Sequence, residues 1–422
     1  MTSLLILTVG TGTAGKHSDV ASGLARTIDL TAPRLFWLVP SASERSRPVA
    51  DIIRESVEHE HPDAFRPWST DELYRTIADP DDIHQCRSVL REVIAAARQQ
   101  LKPGERLIVN PTSGTKQMSA GATLAALDEE VDQVDFTSGE RVDGVVKTGS
   151  EVVHPFDLRG FLFQRDLRTA AELFHHGAFY AAARLLKGYA RPEAVRSRET
   201  ALCLHEWQRM NYLEAARHAA TFSEALQAHL SALAQADTFS TPLLGDLLAG
   251  ADELLRWGDC EEALARYYRG AEQAAKVRLA EAHLIRPPYR LKSVLDILPA
   301  DCRLAEDLRR WGSRNGLILL TAQKAWEVLD ACKDPMAASY FADQNLQYGL
   351  QRRNESMYGH GQEPVEASQV RAVCARLRAL LKEHLPAALA CWSTVRRPHS
   401  LMPEPLTALT SEHPLFHPQK LP

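Results

Sequence analysis

The chain has 422 residues, 49 Lys and Arg against 54 Asp and Glu, a formal net charge of -5 at pH 7 and 45% hydrophobic residues. That length suggests two or three domains at ~100–200 residues each, and the composition excludes a disordered or low-complexity chain. The charge argues against a basic nucleic-acid coat but not against one local site, and no apolar run approaches the ~20 residues of a membrane span. The opening MTSLLILTVGTG lacks a basic flank and a cleavage signal, so it reads as a first strand rather than a leader. Seven cysteines stand singly, with no CxxC pair, which suggests a reducing, cytoplasmic setting and no zinc ribbon or disulfide scaffold.

In chain order, Leu4–Val9 (LLILTV), Leu35–Val39 (LFWLV) and Arg106–Val109 (RLIV) are continuous apolar runs, the pattern of parallel strands buried on both faces. Helical stretches lie between and after them: around Val20–Ile28, around Pro48–Glu58, at Ile83–Leu101, and from Met118 to Leu127. This alternation predicts a Rossmann-like α/β domain with right-handed crossovers. From Val131 to His154 the pattern shortens and alternates (VDQVDFT, GVVKT, EVVHPF), which predicts an antiparallel finish and a domain end near residue 157.

Everything after Asp157 reads as helical. LFHHGAFYAAARLL (173–186), LHEWQRMNYLEAARHA (204–219) and LLRWGDCEEALARYYRGAE (254–272) each look like two helices joined at Gly177, Asn211 or Gly258. They are similar to solenoid helix pairs, but the uneven spacing makes them a helical connector rather than a repeat array. Polar or proline-containing breaks are predicted near 187–200 and 235–242, and the segment 397–422, rich in Pro and His, reads as an irregular tail.

Two loops carry the polar chemistry of the first domain. Gly10-Thr11-Gly12-Thr13-Ala14-Gly15-Lys16 fits G-x-G-x-x-G and nearly fits the P-loop pattern. Neither reading is satisfied: His17 stands where a P-loop needs a hydroxyl for magnesium, and the second strand runs into Pro40-Ser41 where a dinucleotide site needs an acid. What remains is a strand end where a phosphate or nucleotide could dock, against the plain alternative of a tight strand-to-helix turn. The third strand ends in Asn110-Pro111-Thr112-Ser113-Gly114-Thr115-Lys116-Gln117-Met118, with hydroxyls, a glycine and a lysine at a helix start. Helix N-capping is the plain reading for Thr112 and Ser113. Parallel strands would bring both loops to one carboxyl edge, forming a pocket for a nucleotide-like anion without a metal.

LTVGTGT and NPTSGTKQMSAGA resemble the CARF domains (CRISPR-associated Rossmann fold) of type III CRISPR ancillary effectors, in particular those joined to a C-terminal HEPN ribonuclease. The resemblance implies that the loops bind a cyclic oligoadenylate, tetra- or hexa-adenylate, across a homodimer. By that likeness Thr11, Gly12 and Thr13 would form one edge, and Asn110, Thr112, Ser113, Gly114, Thr115, Lys116 and Gln117 the floor.

Near the C-terminal end stands Arg353-Asn354-Glu355-Ser356-Met357-Tyr358-Gly359-His360-Gly361. If the helix continued through it, residues seven apart would share one face after about two turns. An Arg–His face suits RNA cleavage without a metal: the 2′-hydroxyl attacks its own phosphate, histidine moves a proton near neutral pH, and arginine stabilises the growing charge. The plain alternative is a solvent-facing pair at a helix end.

The element resembles the R-x(4–6)-H signature of HEPN ribonucleases in its six-spacer form, with Met357-Tyr358-Gly359 departing from the small aliphatic residues expected before the histidine. The resemblance implies that Arg353, Asn354 and His360 are catalytic, that two subunits compose the site, and that no cofactor or metal is used. Arg266–Glu272 is similar to the first HEPN helix, and Glu272 is expected to order Arg353 or to form a surface ion pair. The implied division is 1–157 CARF sensor, 158–245 helical connector, 246–396 HEPN ribonuclease and 397–422 tail. The implied function is a single-stranded endoribonuclease of antiviral defence, cytoplasmic and free of membranes, with ring-nuclease activity in the sensor pocket left open. The competing reading is a ligand-sensing regulator whose HEPN-like domain only dimerises or holds a partner. The histidine pairs His59/His61 and His175/His176 lack acidic or cysteine partners and read as surface or turn residues rather than a metal site.

Charge divides accordingly: residues 1–150 hold 16 basic and 22 acidic residues (-6), and residues 258–380 hold 18 and 16 (+2). Arg309, Arg310, Arg314, Arg352 and Arg353 are thus available for RNA phosphates.

Overall fold

The computed structural model describes residues 2–11, 17–44, 46–60, 75–142, 145–147, 149–299, 302–311, 315–394, 401, 402, 404 and 406. Gly12, Thr13, His61, Arg314 and most of the expected tail therefore lie outside the described residues. Contacts divide the chain into two compact units, Met1–Arg165 and Asp166–Pro422.

The first unit is built on a five-stranded sheet in the order β2-β1-β3-β4-β7, from β1 (Ser3–Val9), β2 (Leu35–Pro40), β3 (Arg106–Asn110), β4 (Gln133–Ser138) and β7 (Val152–Asp157). The first four run parallel, and β7 pairs antiparallel with β4, Val134 opposite Phe156. A two-stranded ladder, β5 (Arg141–Val142) with β6 (Val145–Val146), stands apart from it.

The apolar runs are continuous because both faces are covered. Leu4, Ile6, Trp37, Val39, Leu107 and Val109 point to one face, against Leu90, Ile94, Ala122 and Ala126. Their neighbours Leu5, Leu7, Val9, Phe36, Leu38 and Ile108 point to the other, against Leu24, Ile28 and Ile53. The covering helices are α3 (Ile83–Gln99) and α4 (Lys116–Asp128) on the first face, and α1 (His17–Thr31) and α2 (Ser46–Glu60) on the second. The expected α/β class and the antiparallel finish are both present.

One ion pair ties two strand starts. Arg34 reaches Glu105 Oε1 and Oε2 at 2.5 and 2.6 Å. The hydrogen bond from Arg34, chief among the causes, pulls the Glu105 carboxyl from its ordinary 4.5 to about 2. A depressed carboxylate contributes stability above its unfolded value and loses it as pH falls through the folded one. Arg34→Met is therefore expected to flatten the acid limb of a stability-versus-pH curve between pH 4.5 and 2, read by chemical denaturation; an unchanged limb would show that the pair contributes nothing.

The second unit is all helical. Its hairpins are α5 (Leu158–His175), which begins within the first unit, with α6 (Phe179–Leu185), α7 (Pro192–Gln208) with α8 (Tyr212–Ala219), and, after α9 (Glu224–Gln235), α10 (Thr241–Trp257) with α11 (Cys260–Ala282). The chain turns between them in left-handed conformations at Gly177, Met210 and Gly258. The breaks expected near 187–200 and 235–242 are shorter than predicted. Pro192 and Pro242 sit in the first helical turns of α7 and α10, where the missing N–H costs nothing, so these prolines start helices rather than interrupt them. Buried Asp246 fastens the connector to α10 by accepting from Trp207 Nε1 at 2.8 Å and the Tyr212 hydroxyl at 2.7 Å. The remaining helices used below are α12 (Leu291–Asp296), α13 (Arg303–Trp311), α14 (Ala322–Ala331), α15 (Pro335–Ala342), α16 (Gln344–Glu355), α17 (Ala367–His384) and α18 (Pro386–Thr394). Among the described residues no helix is long and apolar enough to cross a membrane.

Candidate functional site

β1 lies between β2 and β3, with Leu7 opposite Asn110, so the chain leaves neighbouring strand ends toward opposite sides. That reversal leaves a crevice at the carboxyl edge, the position where open α/β sheets bind ligands. A cavity of about 430 Å³ occupies it, lined by Thr11, Thr112, Ser113, Gly114 and Thr115 of the expected set.

The two loops are joined directly. The Gly10 amide donates to Ser113 Oγ at 3.0 Å, and a Cβ on Gly10 would stand 2.6 Å from the Gly114 nitrogen, so only glycine permits this approach. The floor is pinned from beneath: buried Asn110 donates from Nδ2 to Thr137 Oγ1 at 2.9 Å, its Oδ1 accepts from the Thr112 amide at 3.1 Å, and Thr112 Oγ1 accepts from the Thr137 amide at 2.7 Å. Asn110 therefore shapes the floor and does not line it. The expected capping role falls to Thr115, whose hydroxyl accepts from the Met118 amide at 3.1 Å, and not to Thr112 or Ser113. Lys116 is exposed and Gln117 half-buried, both outside the lining, because the helix begins at Lys116 and turns its first residues away.

The cavity also recruits residues that sequence patterns did not single out. Ser41, just past the end of β2, and Ser46, the first residue of α2, have their hydroxyls 2.7 Å apart; Thr27 and Thr137 meet at 3.3 Å; Asp19 and Glu151 add carboxylates. Pro40-Ser41 was readable as a third strand end at the same edge, whereas Thr27 and Glu151 gave no local signal. Among the described lining residues there is no Lys or Arg, so an anion there would rest on hydroxyls and backbone amides.

In the second unit, α16 stops at Glu355, and the expectation that Arg353 and His360 share one continuous helix face is incorrect. The chain hooks back on the helix end. The Ser356 amide bonds to Arg352 O at 3.1 Å, the His360 amide to Asn354 O at 2.9 Å and the Glu363 amide to Glu355 O at 3.0 Å. These amides take the carbonyls that further helix would have used. The hook needs Gly361, where a Cβ would fall 1.8 Å from the Glu355 oxygen. The reversal returns the chain to the helix end that carries Arg353: His360 is exposed and its backbone is held on Asn354, the residue that follows Arg353.

Glu272 takes other partners than Arg353. It pairs with Arg269 at 2.6 Å and Lys276 at 2.5 Å, while the Arg353 guanidinium lies over the Tyr268 ring, 5.4 Å from its centre. Burial would raise the Glu272 carboxyl, but its bonds to Lys276 and Arg269 hold it below the ordinary range. Arg353 Nη1 also reaches Asn354 Oδ1 at 3.3 Å, and its Nε is buried with no hydrogen-bond partner among the described residues. Arg309 and Arg310 are exposed, and Arg352 pairs with Glu355. Among the described residues no three His, Cys, Asp or Glu side chains stand together as a metal site would require.

Comparison with known families matches residues 233–383 to the Csm6 HEPN domain. The solved structure of Enterococcus italicus Csm6 bound to cyclic hexa-2′-fluoro-hexa-dAMP is similar over 97% of this chain and 99% of that one, with a TM-score of 0.58 and 13% identity. At that identity the likeness is one of fold. A comparison with curated protein sequences finds no match.

Proposed function

We propose, from the premise that this is a CARF–HEPN protein with the Csm6 fold and a Csm6 HEPN domain, that the chain is an endoribonuclease of type III CRISPR defence activated by a cyclic oligoadenylate. One observation carries the reading: Arg353, Asn354 and His360 fall inside the matched HEPN span, on a hook that holds His360 against the arginine's helix end.

The chemistry follows from those side chains. The 2′-hydroxyl of a single-stranded RNA attacks the adjacent phosphate, His360 moves a proton, and Arg353 balances the charge growing on the phosphate oxygens. The nucleophile is the RNA's own hydroxyl, so the step needs no metal-bound water, and it leaves a 2′,3′-cyclic phosphate. Exposed Met357 and Tyr358, beside His360, offer an apolar surface for a second copy, in keeping with a homodimer whose two hooks compose the site.

The cavity of the first unit is the sensor in this reading. Thr11, Ser113 and Gly114 would meet the messenger's phosphates, and its binding would favour the arrangement of the dimer that cleaves. The length 1–157 as sensor, 158–245 as connector and 246–396 as nuclease remains part of this proposal.

The test offers a fluorescent single-stranded RNA to the full-length protein with cyclic tri-, tetra- or hexa-adenylate, EDTA being present. Cleavage with one of them is expected. Cleavage independent of all three would sink the activation mechanism, and no cleavage with any would favour a regulator that does not cut.

The loop contact makes a sharper prediction. Gly10→Val forces the two loops apart at the 2.6 Å contact and is expected to weaken messenger binding ~10-fold or more, about 1.4 kcal/mol, in a calorimetric titration. Undiminished binding would place the messenger elsewhere.

A further inference from the structure

We propose that the cavity beside Arg353 in the helical unit is a nucleobase subsite, which seats one base of the RNA next to the scissile phosphate. The proposal rests on the ribonuclease reading above.

The cavity measures about 640 Å³ and opens between α11 and the segments before α12 and α14. One wall is Tyr268, the residue whose ring carries the Arg353 guanidinium, so cavity and arginine share a side chain. A chain whose phosphate sat at Arg353 would pass beside Tyr268, and with it the wall of this opening.

Three features fit a planar heterocycle. Phe239 and Tyr289 stack near parallel, 6.3 Å apart and 25° between planes, and present aromatic surface of the kind on which unpaired bases stack. Tyr289 is 8% exposed, and its hydroxyl is buried with no hydrogen-bond partner among the described residues. Buried polar groups in folded proteins are almost always partnered, so an unspent donor lining a cavity points to a ligand that supplies the acceptor. Burial first, and the charge of Glu272 second, push this hydroxyl up to about 12, which keeps it a donor at neutral pH.

The third feature is the Lys276–Glu272 pair, 2.5 Å apart, with Lys276 6% exposed and its ammonium 4.9 Å from the centre of the Phe239 ring. It sets a donor and an acceptor side by side at the cavity wall, the combination that base edges display. Arg269 and Lys276 both hold the Glu272 carboxylate at this wall, so a bare phosphate would have to compete with it for them, and a purely hydrocarbon group would leave the Tyr289 hydroxyl unmet. A base uses all three.

The experiment uses the full-length, messenger-activated protein and four RNAs identical except for A, C, G or U at the cleavage step. The wild type is expected to prefer one base. Tyr289→Phe, which deletes only the hydroxyl, is expected to compress the kcat/KM ratio between best and worst base ~5–10-fold. Leu319→Trp is placed at the rim on a side chain 85% exposed, where it need not disturb the core; it is expected to raise KM for RNA ~10-fold with little change in kcat.

Equal rates on all four RNAs, or an unchanged ratio in Tyr289→Phe, would overturn the subsite. So would a Leu319→Trp protein that keeps its KM but sediments as a monomer, since the cavity would then be a contact between copies. A wild type that cuts no RNA at all condemns the nuclease reading instead, and the two failures are told apart.

Discussion

His360→Ala is expected to lower messenger-stimulated RNA cleavage by roughly 10²–10⁴-fold, the range lost when a positioned proton-transfer group is removed. The folded state should be nearly unaffected. His360 is exposed, and what holds its position is its own amide bonded to Asn354 O at 2.9 Å, which alanine retains. The predicted signature is therefore an unchanged unfolding transition with a collapsed kcat. Arg353 should behave differently from histidine in one respect. Its guanidinium stacks on Tyr268, so Arg353→Lys keeps the charge but loses the planar contact, and it is expected to recover little of the activity. A His360→Ala protein that cleaves at the wild-type rate would move the chemistry to other residues.

Asp252→Ala is expected to have the largest effect on stability, about 3 kcal/mol. One carboxylate on α10 gathers three elements: the Tyr267 hydroxyl of α11, Arg378 of α17, and Trp392 Nε1 of α18 at 2.8 Å. Arg378 in turn lies over the Trp392 ring, 3.9 Å from its centre. Tyr267 is fully buried, and burial, with Asp252 beside it, pushes its hydroxyl far above the ordinary tyrosine value. Removing the acceptor takes the carboxylate partner from a buried hydroxyl, an indole N–H and a partly exposed guanidinium at once. Truncating one partner of a buried charged network costs about 3–5 kcal/mol, and the 26% exposure of the Asp252 side chain places this site at the lower end. In a unit of this size each kcal/mol lowers the midpoint by roughly 2–4 °C, so thermal unfolding of the full-length chain should drop by about 6–12 °C. A shift of under 2 °C would mean that solvent replaces Asp252 without loss.

The first unit was largely legible in the sequence because its signals are local. An apolar run such as LLILTV has no polar alternation, which only a strand covered on both faces tolerates, and the helices between the runs dictate a parallel sheet. From there the meeting of the Gly10 and Ser113 loops follows from strand topology, although the bond between them was not visible. Thr115 rather than Thr112 caps the helix because the loop turns back at Gly114 before the helix begins.

The helical unit was harder to read in detail. Proline marked breaks at 192 and 242 only under the assumption that it ends helices, whereas at the first turn it starts them. The Arg–His spacing agreed with a helix face by arithmetic, yet the glycines at 359 and 361 allow a backbone contact that stops the helix. Which carboxylate would order Arg353 was decided by competition: Lys276, one turn beyond Glu272 on the same helix, takes it first.

By itself the sequence determined the α/β-then-helical order, the two loop motifs and the Arg353/His360 pair, since each depends on residue types and short spacings. Only the tertiary structure decided that Ser41, Thr27 and Glu151 complete the cavity at the carboxyl edge of the sheet, and that Tyr268, Tyr289 and Lys276 open a second one beside Arg353. The reason is physical: periodicity and turn chemistry act within a few residues along the chain, whereas a cavity is what distant side chains leave unfilled when they pack.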